Sequence, residues 1–259
     1  MVRRPPLDGT RMGLTLDAPD RFAARSGPPL TRIIRVDMEV PGYPVNMPAP
    51  RLLTFDVFGT VLDWRRGLSD AVARAGRPLA EGDFDRIIDR QGAIEQQPPF
   101  KSYREITRQS LVDELGLDRA SADAIGAAVG SWPPYPDAPA ALRRLMEVTP
   151  CAATTNSDRA HGEDAQRGLG TRLSAWICAE EVRCYKPDPR FWAEAGRRCG
   201  VEAGADWWHV SAYADYDLEV ARRLGLTTVF VRRPHARSGQ ADHQVSDLLE
   251  LATLVEGTR

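Results

Sequence analysis

Four short segments of this chain carry residues suited to covalent catalysis by a carboxylate. The first is Leu52-Leu53-Thr54-Phe55-Asp56-Val57-Phe58-Gly59-Thr60, an apolar run that closes on an aspartate. The others are Thr155-Asn156, the loop around Lys186, and Ser211 to Asp217. Asp56 is the candidate nucleophile, because a carboxylate can attack an electrophilic centre and leave an ester for water to hydrolyse. Such a nucleophile must be shielded from excess negative charge. Lys186 could supply the compensating ammonium, Thr155 and Asn156 hydrogen-bond donors. Asp217 could orient either the lysine or the hydrolytic water. Each residue alone has an ordinary explanation: an aspartate after a strand is usually a turn former or helix cap, and a lysine before proline is usually a solvated loop residue. Their joint placement at the ends of strands carries the case.

The elements that must position these groups follow from the hydrophobic pattern. Short apolar runs at Leu52 to Val57, Cys151 to Thr155, Ala175 to Cys178, Trp207 to Ser211 and Thr227 to Val231 read as buried strands. Helical patterns alternate with them over residues 66–76, 159–169, 188–199, 217–224 and 247–255. This alternation predicts an α/β, Rossmann-like parallel sheet. Residues 80–130 hold helical patterns and no strand, which predicts a helical cap inserted after the first strand. The boundaries read from the sequence are an irregular extension over 1–50, a core of 51–64 and 137–259, and a cap of 65–136. Within the extension, Thr31 to Val36 could form an edge strand at best. In open α/β sheets the active site lies beyond the carboxyl ends of the strands, where all four segments fall.

The bulk properties narrow the partners. The 259 residues are 42% hydrophobic and 27% charged, with a net charge of −2 and a pI near 6.1, as in ordinary soluble proteins. Nucleic acid is not an expected partner. Neither a membrane span nor a signal peptide is expected, so the protein is expected in the cytoplasm. Its four cysteines have no zinc-ligand spacing and read as reduced thiols. His209, on the fourth strand, reads as structural, and Trp207-Trp208 as packing. The oligomeric state is left open, a homodimer among the options.

The four segments resemble the motifs of the haloacid dehalogenase superfamily, in order, over nearly all of residues 51–255. Phe55 to Asp63 is similar to the first motif and Thr155-Asn156-Ser157-Asp158 to the second. Ala179 to Val182 through Tyr185-Lys186-Pro187-Asp188-Pro189 is similar to the third, and His209 to Asp217 with Ala221, Leu224 and Gly225 to the fourth. The resemblance implies Asp56, Thr60, Thr155, Lys186 and Asp217 as catalytic residues.

Two positions separate the branches of that family. Its phosphatases usually carry a second aspartate two residues after the nucleophile, where this chain has Phe58. They also carry a magnesium-ligating acid two after the valine of the fourth motif, where this chain has Ala212. Magnesium wants several oxygen ligands, and only a shifted Asp215 offers a substitute. The resemblance therefore implies a type II, (S)-2-haloacid dehalogenase-like hydrolase with no cofactor and no metal, acting on a short carboxylic acid. Phe58, Asn156, Tyr213 and a cap arginine would line the substrate and halide sites. Arg90 is the candidate arginine and Arg104 the other option. Tyr213, with its neighbours, replaces polar residues of the well-known dehalogenases. The alternatives are a magnesium-dependent phosphatase of a small phosphate ester and a catalytically idle binding protein.

Overall fold

The computed structural model describes residues 49–258. All but the last two residues of the expected extension, including Thr31 to Val36, lie outside the described residues. Six parallel strands form one sheet in the order β3-β2-β1-β4-β5-β6. They are β1 (Leu52–Phe55), β2 (Cys151–Thr155), β3 (Ala175–Cys178), β4 (Trp207–Ser211), β5 (Thr227–Val231) and β6 (His243–Val245). The five expected strands are present. β6 is an addition: three residues, two of them polar, pair with β5 only. So short an edge strand leaves no apolar run in the sequence.

The fold is α/β, as the alternation predicts. β1 and β4 are buried along their whole length, as strands covered on both faces must be. From β1 the chain moves outward through β2 and β3, then returns to place β4 on the other side of β1. Phe55 thus stands level with Ala153 of β2 and Val210 of β4. The connections diverge between β1 and β4, and the crevice of such a sheet opens at that switch point.

Between β1 and β2 the chain is helical, as expected of the insertion: α1 (Trp64–Arg74), α2 (Asp83–Glu95), α3 (Tyr103–Leu115), α4 (Arg119–Ala127), a 3₁₀ turn (Val129–Ser131) and α5 (Ala138–Val148). Local chemistry sets their ends. The Asp63 carboxylate accepts from Arg66 N at the start of α1. Ser102 and Glu105 form a capping box on α3, which stops at the left-handed Gly116. Asp158, beyond β2, also accepts from the free Tyr103 and Arg104 amides at 2.7 and 2.9 Å, tying the insertion to the core at a helix N-terminus. α5 instead packs on the last helix.

The remaining helices are α6 (Arg159–Leu169), α7 (Ala179–Val182), α8 (Arg190–Cys199), α9 (Glu219–Arg223) and α10 (Leu248–Glu256). On α8, Phe191, Trp192 and Ala195 make the buried stripe. The helix expected over 217–224 is in part a π-helical turn, Ala214–Leu218, running into α9. Such a turn admits one extra residue and rotates the helix beyond it. Among the described residues no helix is long and apolar enough to cross a membrane.

Candidate active site

Asp56 follows β1 directly and its amide donates to Val210 O at 2.9 Å, which locks it to β4. The chain then turns sharply: Val61 N and Leu62 N both donate to Val57 O, at 2.8 and 2.9 Å. Gly59 permits the turn with φ +96°, and a β-carbon there would collide with the Tyr213 hydroxyl. Thr60 is thereby brought back under the Asp56 carboxylate. Its hydroxyl donates to Asp56 Oδ2 at 2.7 Å and accepts from Ala212 N at 2.9 Å.

Lys186 arrives from the loop after α7. Its backbone is clamped by Asn156, whose Oδ1 accepts from Lys186 N at 2.7 Å and whose Nδ2 donates to Lys186 O at 3.3 Å. The ammonium donates to Asp56 Oδ1 and to Asp217 Oδ2, both at 2.9 Å. Two buried carboxylates thus share one buried cation. For Asp56, burial raises the pKa and Lys186 only partly offsets it, with Asp217 adding to the rise. For Asp217, burial acts upward too, but Lys186 and His209 outweigh it and hold the pKa below the ordinary range. The Lys186 pKa is raised: burial lowers it, and the two carboxylates overcome that.

Above this triad lies a cleft of about 1130 Å³ between the inserted helices and the strand ends. Asp56, Phe58, Thr155, Asn156, Lys186 and Tyr213 all line it. The Phe58 ring packs between Tyr103 and Trp132, with ring centroids 6.3 and 6.4 Å away. The Tyr213 hydroxyl accepts from Trp64 Nε1 at 2.9 Å. The Thr155 hydroxyl is buried without a hydrogen-bond partner, so it has a donor to offer to a ligand. Asp217 is fully buried and is not among the cleft residues. Of the two roles open to it in the sequence, orienting Lys186 is the one its position serves.

The cap arginines are not where the resemblance implies. Arg90 donates through Nε and Nη2 to Asp113 at 2.8 and 2.6 Å, and Arg104 pairs with Asp123. Neither lines the cleft. Helical geometry explains the miss. Ile88, Gln91, Gly92 and Glu95 of α2 face the cleft at the i, i+3, i+4, i+7 spacing of one helix face, and Arg90 falls off that face toward α3.

Glu95 went unnoticed in the sequence because a carboxylate ending a helix looks like a solvated residue. Half-buried in the cleft, it has its pKa pushed by burial up to about 8, against the pull of Lys186. It is therefore mainly protonated at neutral pH. Raising the pH through about 8 adds a negative charge to the cleft. The KM for an anionic substrate should climb in that range in the wild type and stay flat in Glu95→Gln, whose side chain cannot ionise. Steady-state kinetics on either side of that pH check this.

Magnesium does not fit these residues. Asp56 is already bound to the Lys186 ammonium, and Phe58 and Ala212 bring no carboxylate to the two positions where the phosphatases carry one. Asp215 is exposed and pairs with Arg237 at 3.3 Å, so it is no substitute ligand. Among the described residues no group of three or more His, Cys, Asp or Glu is placed to hold a metal ion.

A family model for haloacid dehalogenase-like hydrolases matches residues 50–225, most of the chain and all four motif segments. The chain belongs to that family. Among curated proteins it is 26% identical over 224 residues to (S)-2-haloacid dehalogenase 4A of Burkholderia cepacia, covering 79% of this chain and 94% of that one. It is also 26% identical over 208 residues to the glyceraldehyde 3-phosphate phosphatase of Methanopyrus kandleri, covering 71% and 84%. Among solved structures, an L-2-haloacid dehalogenase is 30% identical with a TM-score of 0.71, covering 80% of this chain and 99% of that one. A defluorinating L-2-haloacid dehalogenase is 26% identical with a TM-score of 0.70, covering 80% and 95%. Family membership makes the protein a hydrolase. The likeness includes both a dehalogenase and a phosphatase, so the choice between those chemistries rests on the site.

Proposed function

We propose that the protein is a metal-independent hydrolase of the (S)-2-haloacid dehalogenase type, with Asp56 as nucleophile. The observation that carries this reading is the Lys186 ammonium bound between Asp56 and Asp217, with a phenyl ring at position 58 where the phosphatases keep their acid. A departing halide needs no proton, so an aromatic residue there costs nothing.

An Asp56 oxygen attacks C2 of a short 2-haloacid in line with the carbon–halogen bond. The bonding pair leaves with the halide, and an ester joins Asp56 to C2. Water then adds to the ester carbonyl carbon and the bond from that carbon to the C2 oxygen breaks; one water proton ends on the departing oxygen, giving the 2-hydroxy acid, and the other is released to solvent as the Asp56 carboxylate is restored. Thr60 holds the nucleophile, while the Thr155 hydroxyl and Asn156 face the substrate. Arg183, a cleft residue with its guanidinium 4.4 Å over the Phe100 ring, takes the part of the cap arginine as a cation for the departing halide. A low-dielectric site makes such charges count for more than they would in water.

Halide release from 2-chloropropionate and phosphate release from p-nitrophenyl phosphate, each with and without EDTA, test the proposal. Halide release indifferent to EDTA is expected. Phosphate release that requires magnesium, with no halide release, would overturn it in favour of the phosphatase reading.

A further inference from the structure

A buried histidine stands behind this triad. His209 occupies the middle of β4, in register with Thr54 of β1 and Thr228 of β5, and is 0% exposed. An interior sheet position ordinarily takes an aliphatic residue, and a buried imidazole is costly unless its nitrogens are partnered. Here Nδ1 lies 2.8 Å from the Thr54 hydroxyl, which already accepts from Trp207 Nε1 at 2.8 Å. An indole nitrogen can only donate. With one lone pair taken by the indole, the Thr54 hydroxyl can direct its proton to His209 Nδ1, the arrangement that puts the ring proton on Nε2. Nε2 faces Asp217 Oδ1 at a charge-pairing distance of 3.2 Å; the contact falls short of hydrogen-bond geometry, and neither atom has a hydrogen-bond partner elsewhere, so each is the other's nearest polar match. The ring is held edge-on against Trp192 of α8, with centroids 5.5 Å apart.

We propose that His209 is a positioning residue, set in its Nε2–H form by Thr54 and Trp207, that holds Asp217 as the standing counter-ion of Lys186. This rests on the covalent route above and gives it a second half. When Asp56 becomes an ester it loses its charge, and the buried ammonium loses one of its two anions. Asp217 then remains as its carboxylate partner. With His209 on Oδ1, Asp217 keeps Oδ2 on Lys186, and the ammonium stays beside the ester it must help to hydrolyse. The charged and titratable groups around Asp217 are Asp56 from the end of β1, Lys186 from the loop after α7, His209 from β4 and Tyr216 from the π-helical turn. His209 alone among them reaches Asp217 from the sheet side.

The test compares wild type, His209→Leu and His209→Gln with 2-chloropropionate, after thermal melts have shown that each variant is folded. In His209→Leu the first equivalent of halide should be released near the wild-type rate. Its kcat should fall by about tenfold or more, the usual scale for losing the outer partner of a functional group, with KM little changed. Intact-protein mass spectrometry should show the Asp56 ester accumulating. His209→Gln, which retains a donor, should recover most of the loss. Unchanged kcat in folded His209→Leu, or equal loss of halide release and of hydroxy-acid formation, would overturn the assignment. A second measurement needs no substrate: ¹⁵N NMR of the imidazole should find Nε2 protonated, with that state disturbed in Thr54→Val. A proton on Nδ1 would overturn the assignment. Wild-type protein that releases no halide from any haloacid would sink the covalent reading instead, and the NMR result then decides His209 by itself.

Discussion

Asp56→Asn is expected to abolish turnover, with a loss of about 10⁴-fold or more, the scale seen when a covalent nucleophile is removed. The substitution keeps size and the Thr60 contact but leaves no anion to attack carbon. Stability should change little in comparison, because removing one of two carboxylates that share Lys186 relieves burial of charge as well as losing an ion pair. The companion measurement is turnover of the wild type in heavy-oxygen water. Over several turnovers label should enter the Asp56 carboxylate, since water attacks the ester carbonyl and one of its two oxygens leaves with the product. Demonstrated turnover without label in Asp56 would reject the ester route. The acid limb of kcat gives a further check on the same group. Because burial raises the Asp56 pKa, activity should fall, as the pH is lowered, above the range of an ordinary aspartate, with the limb belonging to the coupled carboxylates together.

Lys186→Met should be the most damaging substitution for stability in the site. The lysine side chain is fully buried and joins two nearly or wholly buried carboxylates. Removing one partner from a buried ion pair costs about 3–5 kcal/mol, because the remaining charge is left unpaired. Here two carboxylates are stranded. Their folded-state pKa values rise above the unfolded values, so the stabilisation tied to their protonated forms is present at acid pH and lost as the pH rises through the folded values. The deficit of Lys186→Met should therefore shrink as the pH falls from neutral, and chemical denaturation across pH would show it. Adding Asp217→Asn to Lys186→Met should cost less than the two changes summed, since the second removes a charge the first has stranded. A deficit independent of pH would mean that packing rather than charge dominates the loss.

These expectations define what kind of site this is. Asp56 and Thr60 stand at the end of β1 and in the turn after it, and Lys186 comes from the loop after α7 with its backbone clamped by Asn156. The cleft wall comes from helices and loops: Phe58, Tyr213, Glu95 and Arg183 line it from four different segments. For an anionic substrate, ionisation of Glu95 would place a like charge in the same cleft. The fixed chemistry and the variable wall fit a family whose likeness here extends to both a dehalogenase and a phosphatase.

The α/β sheet, five of its six strands and the run of helices between the first two were legible in the sequence, as was Asp56 as the candidate nucleophile. Buried parallel strands are written as apolar runs, and residues closing such runs are brought together by the topology whatever the loops do. The sequence also determined the absence of a carboxylate at positions 58 and 212, since composition at a motif position does not depend on packing. Only the tertiary structure decided where side chains point. Arg90 and Glu95 sit five residues apart on α2, and the rotation of that helix put Glu95 in the cleft and Arg90 against Asp113. The π-helical turn buried Asp217 behind Lys186, which no spacing rule foretold. His209 read as a structural residue because its partners, Thr54 and Asp217, come from a neighbouring strand and from beyond a turn. Strand pairing fixed the first contact and the turn fixed the second, and both are properties of the assembled sheet.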